Sequence, residues 1–470
     1  MTAIASLSAA ELAPLYASRE LSPLEVAKDA LARIERFEPQ VNAFVVRDDK
    51  VPLAMAQDAE ARWLKGAPLG PLDGVPVTIK DNLGVAGWPM RRGSAVASDA
   101  PFAADSPAVA RLREAGCVFL GKTTMPEYGW KGVGDSPLTG ITRNPWDVAT
   151  GPGGSSSGAA AAAALNLGCI HLGTDGAGSV RIPAAFTGVF GLKPTYGRVP
   201  AWPISTMGFL AHLGPLTRTV RDAALAMNAI GQPDERDMTA ITDAPPDFTA
   251  GLDAGVRGLR IAWSATLGGD VPVDPEIAAL TRDAALAFRE LGARVEEVDP
   301  GFADPLDTLM TLWSAGAALA LRSAGPEARA RMDPGLVAVA EAGERIDGAT
   351  YVDVLLNRRN ALALHMAQFH ARFDLLLTPT LPLPAFAVGR NTPAHGGYGE
   401  DWTRWTPFTY PFNITQAPAA SVPCGLTRAG LPAGLQIVGP YGSDYRVLQA
   451  AAAFEALRPF PHVDAPIETI

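Results

Sequence analysis

Ile170-His-Leu-Gly-Thr-Asp-Gly-Ala-Gly-Ser-Val-Arg-Ile-Pro-Ala184 passes from a short apolar strand, Ile170–Leu172, through a glycine-rich turn at 173–178 and into a helix or turn that opens near Ser179. Glycine at 176 and 178 lets the backbone approach a ligand closely, and successive N–H groups in such a turn form a nest for an anion. Two readings stay open on these residues alone. The turn is either a nest that holds an oxyanion or a tight left-handed connection between strand and helix.

Working outward, the same alternation recurs. Val75–Ile79 reads as a strand that stops at Lys80-Asp81-Asn82, and a helical stretch Val109–Ala115 leads into a strand Val118–Leu120 ending at Gly121-Lys122-Thr123. An Ala-rich helix at 158–167 precedes Ile170. Downstream come a strand Leu259–Trp263, a helix at 275–292, a strand Ala293–Val298, a helix at 351–371 and a strand Leu375–Leu377. Strands alternating with helices predict an α/β fold, a sheet covered by helices. Residues 8–38 form a helical front end, with Ser8 as a cap and a second start at Ser22-Pro23. Residues 133–158 read as a long irregular loop, and the Pro- and Asp-rich stretch 232–250 as a hinge or insertion boundary. The whole chain, 1–470, is expected to be one domain.

Composition narrows the partners. About half of the residues are apolar, 19% are charged and the net charge is −10, so no broad phosphate-neutralising surface is offered. Neither nucleic acid nor a membrane is expected. Three scattered cysteines, Cys117, Cys169 and Cys424, give neither a disulfide framework nor ligand spacing for zinc. The amino terminus lacks a basic region followed by an apolar run, and a cytoplasmic location is expected.

Hydroxyls concentrate in Gly151-Pro-Gly-Gly-Ser-Ser-Ser-Gly-Ala-Ala160. A flexible turn is the plain reading. Its Gly154–Gly158 core matches a nucleophile elbow centred on Ser156, but that motif needs a buried strand directly before it, and residues 144–153 are no such strand. A serine nucleophile needs a base. None of the six histidines stands in a segment resembling a triad partner; His171 lies in a strand, and His365 and His370 share a helix. Lys80 remains, abruptly charged at a strand end. It is either a surface charge or, if buried, an amine that loses its proton readily and acts as a base.

Taken together, Gly153-Gly-Ser-Ser-Ser-Gly158, the Gly173–Ala184 stretch and Gly188-Val-Phe-Gly-Leu-Lys-Pro194 resemble the amidase signature sequence. The resemblance extends to Gly74-Val-Pro-Val-Thr-Ile-Lys-Asp81, Gly121-Lys-Thr-Thr-Met-Pro-Glu127, Ser421-Val-Pro-Cys-Gly425 and Gly430-Leu-Pro-Ala-Gly-Leu-Gln436. It implies a large mixed twisted sheet with helices on both faces. It also implies an amidase that cleaves a small carboxylic amide, an anilide or a carbamate through a seryl acyl-enzyme, with no metal or organic cofactor.

Carried over by position, Ser179 matches the family's nucleophile, Ser155 the bridging serine held by a cis peptide, and Lys80 the base. The backbone N–H groups of Gly176, Ala177, Gly178 and Ser179 match the oxyanion hole, while Asp175, Arg181 and Ser156 match supporting positions. Met125, Tyr128, Gly129, Trp130 and Trp202 are the expected pocket. A small-molecule amide is the expected partner, with a homodimer as the assembly allowed for. Ala177 and Ser157 stand where the family usually has glycine, Ala159 where it has serine and Thr124 where it has asparagine; Ala177 puts substrate range in question. Two alternatives share the resemblance: the A subunit of a tRNA-dependent amidotransferase, and a binding homologue without activity.

Overall fold

The computed structural model describes residues 4–399 and 401–467. Among the described residues, thirteen strands occur. In chain order they are β1 (Phe44–Val46), β2 (Pro76–Lys80), β3 (Val118–Thr123), β4 (Asp135–Ser136), β5 (Gly140–Ile141), β6 (Ile170–Asp175) and β7 (Phe190–Lys193). They continue with β8 (His212–Thr217), β9 (Arg260–Trp263), β10 (Arg294–Glu297), β11 (Leu375–Pro379), β12 (Ala419–Leu426) and β13 (Pro432–Val438). Eleven form one sheet in the order β1-β3-β2-β6-β8-β7-β12-β13-β11-β9-β10, and β4 and β5 make a separate hairpin.

The sheet is mixed. β3, β2 and β6 run parallel on one side and β11, β9 and β10 on the other, with antiparallel pairing from β6 through β11 between them. Parallel neighbours need long crossovers, and helices supply them. The helices as far as residue 320 that matter here are α1 (Ala9–Ser18), α2 (Pro23–Val41), α3 (Lys50–Leu64), α4 (Pro107–Glu114), α5 (Ser157–Ala164), α6 (Arg181–Thr187), α7 (Val220–Ile230), α8 (Pro275–Ala287) and α9 (Leu306–Ala320). The start of α2 is written locally: Glu25 N–H donates to Ser22 Oγ at 3.2 Å, Ser22 N–H donates to Glu25 Oε2 at 2.8 Å, and Pro23 occupies the first turn.

Every residue of β2 is buried. Alternation along the strand sends Val77 and Ile79 into a core with Leu112, Phe119, Leu172 and Met227. Thr78 and Lys80 project to the other face, where α5 lies. There Ala159–Ala163 have no exposed surface, and the small side chains let the helix press close to the sheet.

Several boundaries differ from the sequence reading. β6 continues to Asp175 instead of stopping at Leu172, because β8 extends the ladder as far as the pair Asp175 and His212. The helix expected at 158–167 ends at Ala164, and the one at 275–292 ends at Ala287. The long loop at 133–158 contains the β4–β5 hairpin. Residues 232–250 hold no helix or strand among the described residues, and Ile241 N–H anchors the stretch to Gly197 O at 2.8 Å. No described helix is long and apolar enough to cross a membrane.

Candidate active site

Lys80 closes β2 with no exposed surface. Its Nζ lies 2.8 Å from Ser155 Oγ, 3.0 Å from Ser156 Oγ, 2.9 Å from Thr174 Oγ1 and 3.3 Å from Thr174 O. All four partners are neutral oxygens. Burial therefore pushes the amine down to about 7, against the opposing pull of the Asp175 charge. Asp81, next in the chain, turns the other way. Its carboxylate meets Lys122 Nζ at 3.1 Å and accepts from Gly93 N–H at 2.9 Å.

Ser155 follows a cis Gly154–Ser155 peptide at the entrance to α5. Ser156 knits the loop to its neighbours: its N–H donates to Ser179 O at 3.1 Å and its hydroxyl to Thr174 O at 3.2 Å. Position 155 is thus held against the turn that carries Ser179. Ser179 is 5% exposed, and its hydroxyl has no hydrogen-bond partner among the described residues.

The turn is built around Asp175. One carboxylate oxygen accepts from Gly178 N–H at 2.7 Å, Arg181 Nη2 at 2.9 Å and Asn413 Nδ2 at 2.9 Å; the other accepts from Arg181 Nε at 2.9 Å and Val180 N–H at 3.2 Å. Burial alone would raise this carboxyl, but Arg181, Lys193 and Asn413 hold it below the usual carboxylate range. Arg181 is itself fully buried, and its Nη1 donates to Thr409 O and Gln436 Oε1 at 2.8 and 2.7 Å.

This arrangement narrows the expected nest. The Gly178 N–H is occupied by Asp175, so it does not face the site; the Gly176, Ala177 and Ser179 N–H groups have no acceptor among the described residues. Gly178 has φ +125°, and a Cβ there would lie 2.5 Å from Thr409 Oγ1. Ala177 needs no left-handed backbone, and its carbonyl accepts from Thr409 Oγ1 at 2.7 Å.

A cavity of about 490 Å³ opens over Ser155, Thr174, Gly176 and Ser179. Of the expected pocket residues, Tyr128, Gly129 and Trp202 line it. Met125 and Trp130 do not. Tyr128 and Gly129 take φ values of 52° and 72°, and this bend carries Trp130 into the core beside Gly335 and Leu336, while the Met125 side chain packs beside Gly129. Sequence reasoning missed Asn82, Arg92 and Trp313 as wall residues. The apolar spacing of Leu309, Leu312 and Trp313 was the available signal for α9.

The three histidines singled out in the sequence have other engagements. His171 Nδ1 and Thr78 Oγ1 share a hydrogen bond at 2.8 Å, and burial pushes the imidazole down to about 3. His365 and His370 contact the carbonyls of Pro300 and Phe373.

Comparison with known proteins agrees with this layout. A family model described as Amidase matches residues 25–448. An acylamidase of Rhodococcus erythropolis is 39% identical over 97% of this chain and 96% of its own. The A subunit of the glutamyl-tRNA(Gln) amidotransferase from Symbiobacterium thermophilum is 36% identical over 96% of each chain. The crystal structure of a bacterial aryl acylamidase belonging to the amidase signature enzymes superposes with a TM-score of 0.89 at 36% identity, covering 97% of this chain and 96% of that one. A 6-aminohexanoate cyclic dimer hydrolase gives 0.88 at 29% identity, covering 97% of each. The chain belongs to the amidase signature family, hydrolases that act on amide carbon–nitrogen bonds.

Proposed function

We propose that this protein hydrolyses a small aryl amide through an acyl-enzyme on Ser179, with Ser155 relaying the proton to Lys80. The observation that carries the reading is a fully buried lysine, lowered to about 7, whose Nζ lies 2.8 Å from Ser155 Oγ. A neutral amine has a lone pair for the Ser155 O–H and two N–H groups for the oxygens of Ser156 and Thr174.

As Ser179 Oγ attacks the amide carbon, its proton passes to the Ser155 oxygen while the Ser155 proton moves to Lys80. The Gly176, Ala177 and Ser179 N–H groups hold the oxyanion. Collapse of the tetrahedral intermediate breaks the C–N bond, and the departing nitrogen takes the proton back along the same relay. Water then attacks the ester with Lys80 again as base, releasing carboxylate and free Ser179. In the resting enzyme Ser179 Oγ is not bonded to Ser155 Oγ; substrate binding must tighten that contact.

Support for an aryl substrate comes from Trp202, Trp313, Tyr128 and Met207, which give the cavity aromatic and apolar walls. It also comes from the likeness to proteins described as an acylamidase and an aryl acylamidase. The competing reading, an amidotransferase A subunit, rests on relatives of 36% identity. The purified chain should release aniline from acetanilide without glutamine, tRNA or a partner protein. Release of ammonia from glutamine with no cleavage of anilides would favour the competing reading.

A further inference from the structure

We infer that the substrate carries an anionic group, a carboxylate away from the scissile amide, and that Arg92 receives it. The inference rests on the hydrolase reading for the word substrate, and on the cavity for the anion.

Arg92 is the only charged side chain among the described residues lining the cavity. Its guanidinium makes no hydrogen bond or ion pair with any described residue, whereas its neighbour Arg91 pairs with Asp99 at 2.8 Å. Arg92 thus lines the cavity half-buried and with no carboxylate partner among the described residues, although the chain has 49 acidic residues and a net charge of −10. Its five donors match a carboxylate in a two-pronged geometry.

The loop is fixed to present it. The buried Asp81 carboxylate accepts from Gly93 N–H at 2.9 Å and from Arg91 N–H at 3.4 Å, so the backbone on either side of Arg92 is held by one group. Arg92 itself has φ 55°, a conformation that L residues other than glycine seldom adopt. Gly93 has φ +68°, and a Cβ there would collide with the Met125 carbonyl. Finally, Arg92 O accepts from Tyr128 N–H at 2.7 Å, and Tyr128 leads to Gly129, where an added Cβ would lie 3.1 Å from Ser155 Oγ. Arg92 therefore sits on the wall that adjoins the reacting serines, and aromatic side chains of the same cavity are available to the body of the ligand.

Two pairs of anilides test this. On the amine half, 4-acetamidobenzoate is compared with 4-acetamidoacetophenone; on the acyl half, succinanilate is compared with 4-oxo-N-phenylpentanamide. Each pair exchanges a carboxylate for an uncharged methyl ketone. In at least one pair the wild-type enzyme is expected to favour the carboxylate by about 10- to 100-fold in kcat/KM, mainly through KM. Arg92→Met should bring that ratio near one whatever its absolute rate, and Arg92→Lys should restore part of it. A wild-type ratio at or below one in both pairs, or an unchanged ratio in Arg92→Met, overturns the inference. If the wild type cleaves no anilide, the aryl-amide reading fails separately. Titration calorimetry with the same four compounds then decides the anion site: tighter carboxylate binding lost in Arg92→Met upholds it, and equal binding refutes it.

Discussion

Lys80 Nζ and Ser155 Oγ lie 2.8 Å apart in a fully buried setting where no carboxylate pairs with the lysine, while Lys122, on the adjacent strand β3, has Asp81 at 3.1 Å. These two, of the four buried lysines among the described residues, are thus set up for different work. One is a structural cation. The other is free of any ion pair that would hold its proton.

The pH profile should report this difference. Only neutral Lys80 accepts a proton, and burial pushes the amine down to about 7, so kcat/KM is expected to rise through a limb centred near that value and to be lost below it. Lys80→Arg should fall by about 10³-fold or more at pH 8, because guanidinium stays protonated. Rates measured from pH 5 to 10 check both statements.

Stability carries the same signature. The folded amine sits near 7 and the unfolded one near 10.5, so between these values the unfolded chain holds a proton that the folded chain lacks. Stability from this residue is therefore complete above about 10.5 and declines as pH falls towards 7. Lys80→Met removes that dependence. Thermal melts of the variant and wild type should differ most in the variant's favour at pH 6–7, and the difference should shift towards the wild type by pH 10.

Arg181 and Asp175 form an ion pair with no exposed surface on either side chain, with two Arg–carboxylate contacts of 2.9 Å. Arg181→Met leaves the Asp175 charge buried without its main partner and should cost about 3–5 kcal/mol in urea unfolding. A change under about 1 kcal/mol would show that the rest of the network suffices.

Gly178→Ala tests the turn. The residue would need φ +125° and would place Cβ 2.5 Å from Thr409 Oγ1, so the nest must shift. A loss of about 10²–10³-fold in kcat is expected from misplaced oxyanion donors, with a smaller change in KM. A near-normal kcat would mean that the oxyanion is held elsewhere.

Much of this was legible locally. The five-residue strand ending in an abrupt Lys80, the Ala-rich helix and the glycine turn all have periods or compositions that a short window captures. The central antiparallel strands β7, β8, β12 and β13 were not read from pattern, because the pairing of β7 with β12 joins segments more than two hundred residues apart. Pocket membership failed for a similar reason. Trp130 is turned away by two successive left-handed residues, and Arg92 and Trp313 reach the cavity from distant segments. The occupied Gly178 N–H had a local clue, since Asp175 stands three residues before it in the spacing of an Asx-type turn.

The most direct test of the central claim is mass spectrometry of the enzyme trapped with a fluorophosphonate or caught during turnover of an activated anilide. The account predicts one covalent adduct, on the peptide containing Ser179, absent from Ser179→Ala together with at least about 10³-fold of the activity. An adduct on Ser155 instead, or anilide turnover by Ser179→Ala near the wild-type rate, would contradict it.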